Sequence, residues 1–405
     1  MNIIFLTLVR ISNIEDRGIY SDLMRKFRNE GHNVYIVTPC ERRLGLETSL
    51  TESKDVHILN VRTLNVQKTS IVEKGIGTLL IESQFKAAIK KYLGDIKFDL
   101  ITYSTPPITF TNVVKYLKKK NPQAVSYLQL KDIFPQNAVD MKMFGEKSIF
   151  NWYFRKKEKS LYEVSDYIGC MSPANVDFLL KHNPKIDANR VEVAPNSIEI
   201  RENDVLNDPE QLKAAKNYIR KKYDLPLDKP VFIYGGNLGI PQGIDYLVKC
   251  LDANKKRTDC YFVVVGSGTH YGLISEWYSK NQNHNVKLMQ ALPKSEYDTL
   301  VRTCDVGMIF LDHRFTIPNY PSRLLSYLEY KMPVVCATDV NTDIGKIAEE
   351  NGYGYWCESV KPEDFTALVD KVLASDMKVM GVKGYEFLKQ NYLVEHTYNA
   401  IMRHF

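Results

Sequence analysis

VFIYGGNLGIPQGIDYLVKCL, residues 231–251, passes from an apolar run through a glycine-rich loop into an amphipathic helical pattern. The glycines Gly235, Gly236 and Gly239 allow the backbone to approach a ligand closely. This order of strand, loop and helix predicts one unit of a parallel α/β sheet, in which ligands bind at the carboxyl ends of the strands. A turn that needs glycine only for its geometry has the same pattern.

A second apolar run, Val263–Val265, ends in the same way at Gly266 and Gly268. Neither glycine loop has the full Gly-x-Gly-x-x-Gly pattern, and neither contains the lysine of a P-loop. These departures argue against dinucleotide binding and against P-loop chemistry.

Short apolar runs alternate with helical patterns along almost the whole chain, which predicts parallel sheets covered by helices on both faces. A chain of 405 residues exceeds what one core usually supports. We therefore predict an α/β protein with a domain at 1–200, a linker with one helix at 201–229, a second domain at 230–380 and C-terminal helices at 381–405. The predicted strands are Ile3–Val9, Asn33–Thr38, Val56–Val61, Phe98–Tyr103, Ala124–Leu130, Tyr167–Met171, Val231–Tyr234, Tyr261–Val265, Val286–Met289, Val306–Phe310 and Val334–Ala337.

Charge is unevenly placed, since residues 1–195 contain 29 Lys and Arg against 21 Asp and Glu, whereas the remainder contains 25 against 27. A basic first half favours an anionic partner such as a phosphate-bearing substrate or a lipid surface. Nucleic acid fits poorly, because the chain has no recognised reader motif. We expect no signal peptide and no membrane span. Seven cysteines without a Cys-x-x-Cys pair predict a reducing cytoplasm and no zinc site.

The segment TIPNYPSRLLSYLEYKMPVV, residues 316–335, predicts a loop that enters a helix and then a short buried strand. Pro321 suits the first helical turn. The amides of Ser322, Arg323 and Leu324 would then be free to bind a phosphate, and Arg323 adds a planar cationic fork. An ordinary amphipathic helix packed on a sheet would have the same pattern.

The order of these motifs resembles glycosyltransferase family 4, in the branch that builds bacterial capsules and O-antigens. The shared pieces of the second half are Gly235–Gly243, Gly266–Gly268, Asp305-Val306, Pro321-Ser322-Arg323 and Pro333-Val334-Val335. Those of the first half are Gly18-Ile19-Tyr20, Gly31-His32-Asn33-Val34 and Lys131-Asp132-Ile133-Phe134-Pro135.

This resemblance implies the GT-B fold: two Rossmann-like domains facing a cleft, with a C-terminal helical tail that packs back on the first domain. It implies a retaining transferase that needs no metal and no cofactor, and the chain has no Asp-x-Asp pair. The implied donor is a nucleotide sugar, with UDP and an N-acetylated aminosugar as first candidates. The implied acceptor is a saccharide on polyprenyl diphosphate, at the inner face of the cytoplasmic membrane.

The site residues implied by the resemblance fall into three groups. The catalytic candidates are Arg323 and Asp132, and the acceptor-binding candidates are Gly18, Lys131 and Asp132. The donor-binding candidates are Gly236, Asn237, Gln242, Gly266, Gly268, Leu292, Asn319, Tyr320, Pro321, Ser322, Arg323 and Ser326.

Several positions depart from the family pattern. Asn237 and Gln242 stand where the family has Arg and Lys, and Ser326 stands where it has a ribose-binding Glu. The positive charge for a diphosphate must then come from elsewhere, with Arg323 as first choice and Arg314 or Lys294 as alternatives. Ser326 or Glu329, which lies three residues on and would share that face, could replace the ribose-binding Glu, but for Glu329 we favour a solvated surface carboxylate.

Three alternatives stay open. Asp132 is as typical of a helix or turn cap as of a substrate contact. The stretch Ser148–Lys159 interleaves aromatic and basic residues, which is typical of a helix on an anionic membrane but also of a helix with an aromatic core face. A nucleotide-sugar 2-epimerase, or a non-catalytic partner of another transferase, would have the same architecture.

Overall fold

The computed structural model describes residues 1–66, 71–201, 209–281 and 285–405. The chain forms two compact units, of which unit 1 comprises Met1–Glu199 with Val394–Phe405 and unit 2 comprises Ile200–Leu393. Each unit is built around one mainly parallel sheet flanked by helices. The predicted α/β class with two Rossmann-like domains is therefore confirmed.

Unit 1 contains an eight-stranded sheet in the order β3-β4-β2-β1-β5-β6-β7-β8, which is parallel except for the antiparallel edge strand β3. Its strands are β1 Asn2–Leu6, β2 Asn33–Glu41, β3 Ser49–Ser53, β4 Val56–Thr63, β5 Leu100–Ser104, β6 Val125–Leu130, β7 Tyr167–Cys170 and β8 Val191–Val193. Its helices are α1 Ile19–Asn29, α2 Ile71–Tyr92, α3 Thr111–Lys120, α4 Gln136–Asp140, α5 Ile149–Val164, α6 Pro173–His182 and, at the C-terminus of the chain, α15 Val394–Met402.

Unit 2 contains a six-stranded sheet in the order β11-β10-β9-β12-β13-β14, and all of its strands are parallel. Its strands are β9 Val231–Asn237, β10 Tyr261–Ser267, β11 Val286–Gln290, β12 Val306–Phe310, β13 Val334–Thr338 and β14 Gly354–Glu358. Its helices are α7 Pro209–Lys222, α8 Ile244–Asn254, α9 Tyr271–Asn281, α10 Lys294–Val301, α11 Arg323–Glu329, α12 Ile344–Glu350, α13 Pro362–Leu373 and α14 Met377–Asn391.

The strand order of unit 2 reverses at β9, which pairs with β10 on one side and with β12 on the other. Open parallel sheets bind ligands just beyond the strand ends at such a reversal. The glycine-rich loop after β9 and the segment that enters α11 after β12 both lie there. The fold therefore brings together the two segments from which a donor site was predicted.

The last helix returns to unit 1, as expected for the C-terminal tail. Tyr398 of α15 packs on Phe27 of α1 with ring centroids 5.1 Å apart, and the Ser197 and Thr397 hydroxyls lie 2.7 Å apart. Helix α14, by contrast, packs against α11 inside unit 2. The segment that packs on unit 1 is thus Val394–Phe405.

Helix α7, predicted as part of a linker, is attached to the sheet of unit 2. The Arg220 guanidinium donates to one Asp305 carboxylate oxygen at 2.5 Å, and Lys216 donates to the other at 2.5 Å. Arg220 also donates to the carbonyl of Thr303 at 2.9 Å, and its side chain is 1% exposed. Residues 202–208 of the predicted linker lie outside the described residues.

All eleven predicted strands are present, and the described residues contain three further strands, β3, β8 and β14, that were not predicted. The edge strand β3 is polar and mostly exposed, so it shows no apolar run. Strand β8 has three residues, and β14 begins at a glycine. The seven cysteines are buried and free. Among the described residues, no helix combines the length and apolarity needed to cross a bilayer.

Candidate active site

Arg323 opens α11 and lies against the end of β9. Its guanidinium carbon is 4.4 Å from the centroid of the Tyr234 ring. A Cβ placed on Gly236 would lie 3.3 Å from Nη2 of Arg323, and Gly236 has a φ of 126°. Glycine is therefore needed at this position both for its backbone conformation and for the close approach of the guanidinium.

The hydrogen-bonding capacity of Arg323 is incompletely used within the described residues. Its Nη1 is buried and has no hydrogen-bond partner there, and the charged or polar groups that act on its pKa there are tyrosines rather than carboxylates. A buried donor without a partner costs about 1–3 kcal/mol, which favours an anionic ligand at this position.

The two alternative cations are already neutralised by carboxylates. Arg314 donates to both oxygens of Asp312, at 2.8 and 2.7 Å. Lys294 donates to both oxygens of Asp298, at 2.7 and 2.9 Å. Of the three candidates, Arg323 is therefore the cation best placed to receive a phosphate.

Two further tyrosines, Tyr327 and Tyr297, lie near Arg323. The Tyr327 hydroxyl donates to the Ile233 carbonyl at 3.2 Å, which ties α11 to β9. The Tyr297 ring fills the space beside Gly235, where a Cβ would lie 1.9 Å from the Tyr297 hydroxyl. Burial raises the pKa of Tyr297 to about 12, so this hydroxyl stays neutral.

Sequence reasoning missed Tyr297. The available signal was the glycine doublet at the end of β9, because the first glycine admits the Tyr297 ring and the second admits the Arg323 guanidinium.

An open pocket of about 390 Å³ lies beyond the ends of β9 and β10. This volume falls within the range of small-molecule sites. The pocket brings together predicted donor residues from three separate loops with the unpredicted Tyr297. Its lining residues are Gly236, Asn237, Val265, Gly266, Ser267, Ala291, Leu292, Lys294 and Tyr297.

The predicted donor residues Asn237 and Gln242 contact each other. The Asn237 amide donates to the Gln242 side-chain oxygen at 2.7 Å, and the Tyr234 hydroxyl donates to the Asn237 carbonyl at 2.8 Å. A Cβ on Gly239 would lie 2.9 Å from the Asn237 amide nitrogen, so Gly239 makes room for this pair. The loop thus presents neutral amides beside the pocket.

Backbone packing explains the glycines at the end of β10. A Cβ on Gly266 would lie 2.0 Å from the Gly236 carbonyl oxygen, and one on Gly268 would lie 2.4 Å from the Leu238 carbonyl oxygen. Gly266 also lines the pocket, whereas Gly268 does not border it. A donor contact at either glycine stays a prediction.

The start of α11 differs from the prediction. The helix begins at Arg323, after a turn at Pro321 and Ser322. The Leu324 amide, predicted to be free, donates to the Pro321 carbonyl at 3.2 Å. The prediction of three free amides is therefore wrong for Leu324, because the proline precedes the helix and its carbonyl closes the turn.

The other donor candidates in this segment differ in exposure. Tyr320 is 4% exposed, and its hydroxyl contacts that of Tyr392 in the core of unit 2. The backbone N–H of Asn319 donates to the Thr342 hydroxyl at 2.9 Å. Ser326 is half-buried. Contacts between these residues and a donor stay predictions.

Glu329 is 2% exposed, so the expectation of a solvated surface carboxylate is wrong. The helical period places it on the face of α11 that packs against the unit, together with Leu325 and Leu328.

The acceptor candidates Lys131 and Asp132 follow β6 in unit 1. The Thr105 hydroxyl oxygen accepts from both of their amides, at 2.9 and 3.0 Å. The Lys131 ammonium donates to the Ala194 carbonyl at 3.0 Å, and the Asp132 carboxylate accepts from the Asn137 amide at 2.8 Å. The two side chains are therefore fixed by neutral partners.

Neutral surroundings shift the pKa of both groups. Burial lowers the pKa of Lys131 to about 7 and raises the pKa of Asp132 to about 6. Both pKa values lie near neutrality, which suits groups that exchange protons or contact a substrate. Gly18 precedes α1 with a φ of 165°, an extended conformation open to any residue. Its expected role in acceptor binding stays a prediction.

The lowered pKa of Lys131 predicts a pH-dependent stability. Between pH 7 and its ordinary pKa of 10.5, the unfolded chain binds a proton that the folded chain does not, so the free energy of unfolding rises with pH. We expect Lys131→Met to lack this rise. Urea unfolding of the full chain, followed by circular dichroism at a series of pH values, measures it.

Asp132→Asn provides the control of opposite sign. Between pH 3.8 and 6 the folded chain holds the extra proton on Asp132, so the contribution of Asp132 to stability falls with pH, and we expect Asp132→Asn to lack this contribution. Equal slopes for Lys131→Met and the wild type between pH 7 and 9 would show that the Lys131 ammonium stays solvated.

The part of the chain that contains this site is similar to known proteins. Residues 215–387, which contain the pocket and Arg323, match the family model described as glycosyl transferases group 1. WbjE of Pseudomonas aeruginosa, named as a probable glycosyltransferase, is 22% identical over 279 residues, which are 65% of this chain and 64% of that protein. WcaI of Escherichia coli K12, named as a glycosyl transferase of colanic acid biosynthesis, is 26% identical over 154 residues, which are 37% of this chain and 36% of that protein.

The chain thus spans less than two thirds of the length of these curated relatives. The solved structure of Anabaena HepE in complex with UDP and glucose is similar over 100% of this chain and 98% of that chain, with a TM-score of 0.70 and 12% identity. Residues 215–387 therefore resemble the group 1 glycosyl transferases, within a chain that has the GT-B fold and a relative named for colanic acid biosynthesis.

Proposed function

We propose that this glycosyltransferase moves a sugar from a UDP sugar to a saccharide on polyprenyl diphosphate, in the synthesis of a surface polysaccharide such as a capsule or an O-antigen. The reaction proposed retains the anomeric configuration and needs neither a metal ion nor a cofactor. The observation that carries the proposal is the buried Nη1 of Arg323, which has no hydrogen-bond partner among the described residues and lies near a pocket of about 390 Å³.

In this reaction the bond from the anomeric carbon to the diphosphate breaks, and the acceptor hydroxyl oxygen bonds to the same carbon. Negative charge then develops on the departing diphosphate, and stabilising it is usually the largest catalytic contribution. We assign this role to Arg323, whose fork matches phosphate geometry. The acceptor proton passes to a phosphate oxygen, so a separate base is not required.

The donor assignment rests on the shape and lining of the pocket. Its loops present backbone groups of Gly236 and Gly266 and the apolar side chain of Leu292, as expected for a planar base and a ribose. Ser326 replaces the acidic residue of the family and is proposed to hydrogen-bond the ribose. The choice of UDP agrees with the solved HepE complex, which contains UDP and glucose. An N-acetylated aminosugar is the first donor to test.

The acceptor is assigned to unit 1. This unit carries the excess of Lys and Arg, which suits an acceptor that bears a diphosphate on a lipid. Lys131 and Asp132 are the proposed contacts, since their pKa values of about 7 and 6 allow either protonation state near neutral pH. A lipid-linked acceptor places the enzyme in the cytoplasm, peripherally on the inner face of the membrane.

Incubation of the purified chain with a panel of UDP and GDP sugars and a polyprenyl-diphosphate saccharide tests the proposal. We expect transfer from one UDP sugar, in EDTA as well as in magnesium, and a product with the anomeric configuration of the donor. Consumption of donor without acceptor would instead identify a 2-epimerase. Nucleotide binding without any turnover would identify a non-catalytic partner.

A further inference from the structure

Helix α5 of unit 1 begins with an apolar surface that the described residues leave uncovered. Ile149, Phe150 and Trp152 are 74%, 62% and 64% exposed, and Met143 in the preceding turn is 70% exposed. Four large apolar side chains within ten positions form a patch of the kind that marks an interaction site. We name Met143, Ile149, Phe150 and Trp152 the apolar tip.

The core does not need these side chains. The buried face of α5 is formed by Asn151, Glu158, Leu161 and Tyr162. The rings of Phe134, Phe144 and Phe154, in and before α5, pack on one another, with centroids 4.9 Å apart for Phe134 and Phe154. The local aromatic cluster is therefore complete without the apolar tip.

Local contacts hold the apolar tip in place. The Ser148 hydroxyl accepts from the backbone N–H of Asn151 at 3.1 Å and caps α5. The side-chain amide of Asn151 donates to the Glu146 carbonyl at 2.5 Å. A capped helix start loses little conformational freedom when it binds. The apolar side chains are thus presented in a fixed arrangement.

Basic side chains follow the apolar tip along the exposed face of α5. The Lys156 ammonium lies 5.7 Å from the centroid of the Trp152 ring, and that of Lys157 lies 5.8 Å from the Tyr153 ring. At 1.5 Å per residue, Lys157 lies about 10 Å along the helix axis from Phe150. The exposed lysines around the tip are Lys142, Lys147, Lys156 and Lys159.

This order matches the profile of an anionic lipid surface, in which apolar side chains enter the boundary of the acyl chains by about 5–10 Å and cations remain among the phosphates. A protein partner would also cover apolar side chains, but the four exposed lysines, against one exposed glutamate at Glu146, favour an acidic surface. The large exposed apolar side chains are confined to the first turn of α5 and the segment before it, and are not spread along the whole helix.

We propose that the apolar tip is a membrane-docking element for bilayers rich in anionic phospholipids. This inference deepens the proposed membrane location and rests on it, and it assigns the contact to four side chains of unit 1. It does not involve the donor pocket of unit 2, so membrane docking and sugar transfer are separable.

Vesicle binding of the full chain tests this inference, with phosphatidylglycerol vesicles compared with phosphatidylcholine vesicles. Trp152 is the exposed tryptophan of the three, so its emission reports docking directly. We expect a blue shift with phosphatidylglycerol that weakens at high salt. Ile149→Glu/Phe150→Glu should bind at least tenfold more weakly, because two carboxylates would enter the headgroup boundary.

Val379→Glu/Val382→Glu is the matched control, since both valines are 50% exposed on α14 of unit 2. This variant should bind vesicles like the wild type. Equal vesicle binding by Ile149→Glu/Phe150→Glu and the wild type would overturn the inference. The inference would also be overturned if the wild type did not bind vesicles but formed a dimer, and if Ile149→Glu/Phe150→Glu dissociated that dimer.

Donor binding separates this inference from the proposed function. Ile149→Glu/Phe150→Glu should retain UDP-sugar binding and transfer to an acceptor in detergent, while losing transfer to the same acceptor in vesicles. A wild type that docks on vesicles yet transfers no sugar would refute the proposed function and leave the docking element intact.

Discussion

Arg323→Ala should lower turnover by on the order of a hundredfold or more, because it removes the cation assigned to the departing diphosphate. The fold should persist, since the lost contact with the Tyr234 ring contributes only about 0.5–2 kcal/mol. Arg323→Lys keeps the charge but loses the planar fork, so we expect an intermediate turnover. Steady-state kinetics with a saturating donor measures both.

Arg302→Ala is the matched control for this experiment. Arg302 also lies on a tyrosine ring in unit 2, with its guanidinium carbon 5.0 Å from the centroid of Tyr330. It follows the C-terminal end of α10 and is not among the residues that line the pocket, whereas Tyr297 of the same helix is. We expect its turnover to match the wild type. A similar loss of turnover in Arg302→Ala and Arg323→Ala would indicate a general structural effect and would contradict the assignment.

Asp305→Asn should destabilise unit 2 by about 3 kcal/mol, because it leaves the buried Arg220 guanidinium without its counter-charge. The Asp305 carboxylate joins α7 to the start of β12 and also accepts from the Val231 amide at 2.8 Å. Urea unfolding followed by Trp277 and Trp356, in a chain with Trp152 replaced by Phe, isolates unit 2.

Lys216→Met tests the other half of the same ion pair. Lys216 is 33% exposed and keeps its hydration in either state, so its loss should cost less than about 1 kcal/mol. An Asp305→Asn variant with the urea midpoint of the wild type would show that α7 is a linker and not a structural part of unit 2.

The sheets were predictable because their central strands are continuous apolar runs bounded by polar segments. Strand β10, with residues 262–266 buried, is such a run. The edge strand β3 was not predictable, because it pairs through its backbone while its side chains face solvent. The bounds of the C-terminal tail also escaped prediction, since α14 and α15 have similar helical patterns and only packing assigns them to different units.

The site was predictable where its chemistry is local in sequence. Arg323 follows a proline and a serine, and the glycine doublet ends a strand, so both were found. The burial of Glu329 showed no local signal. The glycine doublet indicated a close approach at Gly235, but which ring fills that space depends on Tyr297, about sixty residues further along the chain. The ion pairs of Arg314 with Asp312 and of Lys294 with Asp298 could not be predicted from the sequence either. Because these pairs neutralise both cations, Arg323 is the remaining candidate for phosphate binding.

A crystal structure with an intact UDP sugar tests the central assignment most directly. We predict that the diphosphate lies within hydrogen-bond distance of the Arg323 guanidinium, beside Gly236, with the base in the pocket that Leu292 and Tyr297 line. A diphosphate bound elsewhere, with Arg323 still packed on Tyr234 and contacting no ligand atom, would contradict the account.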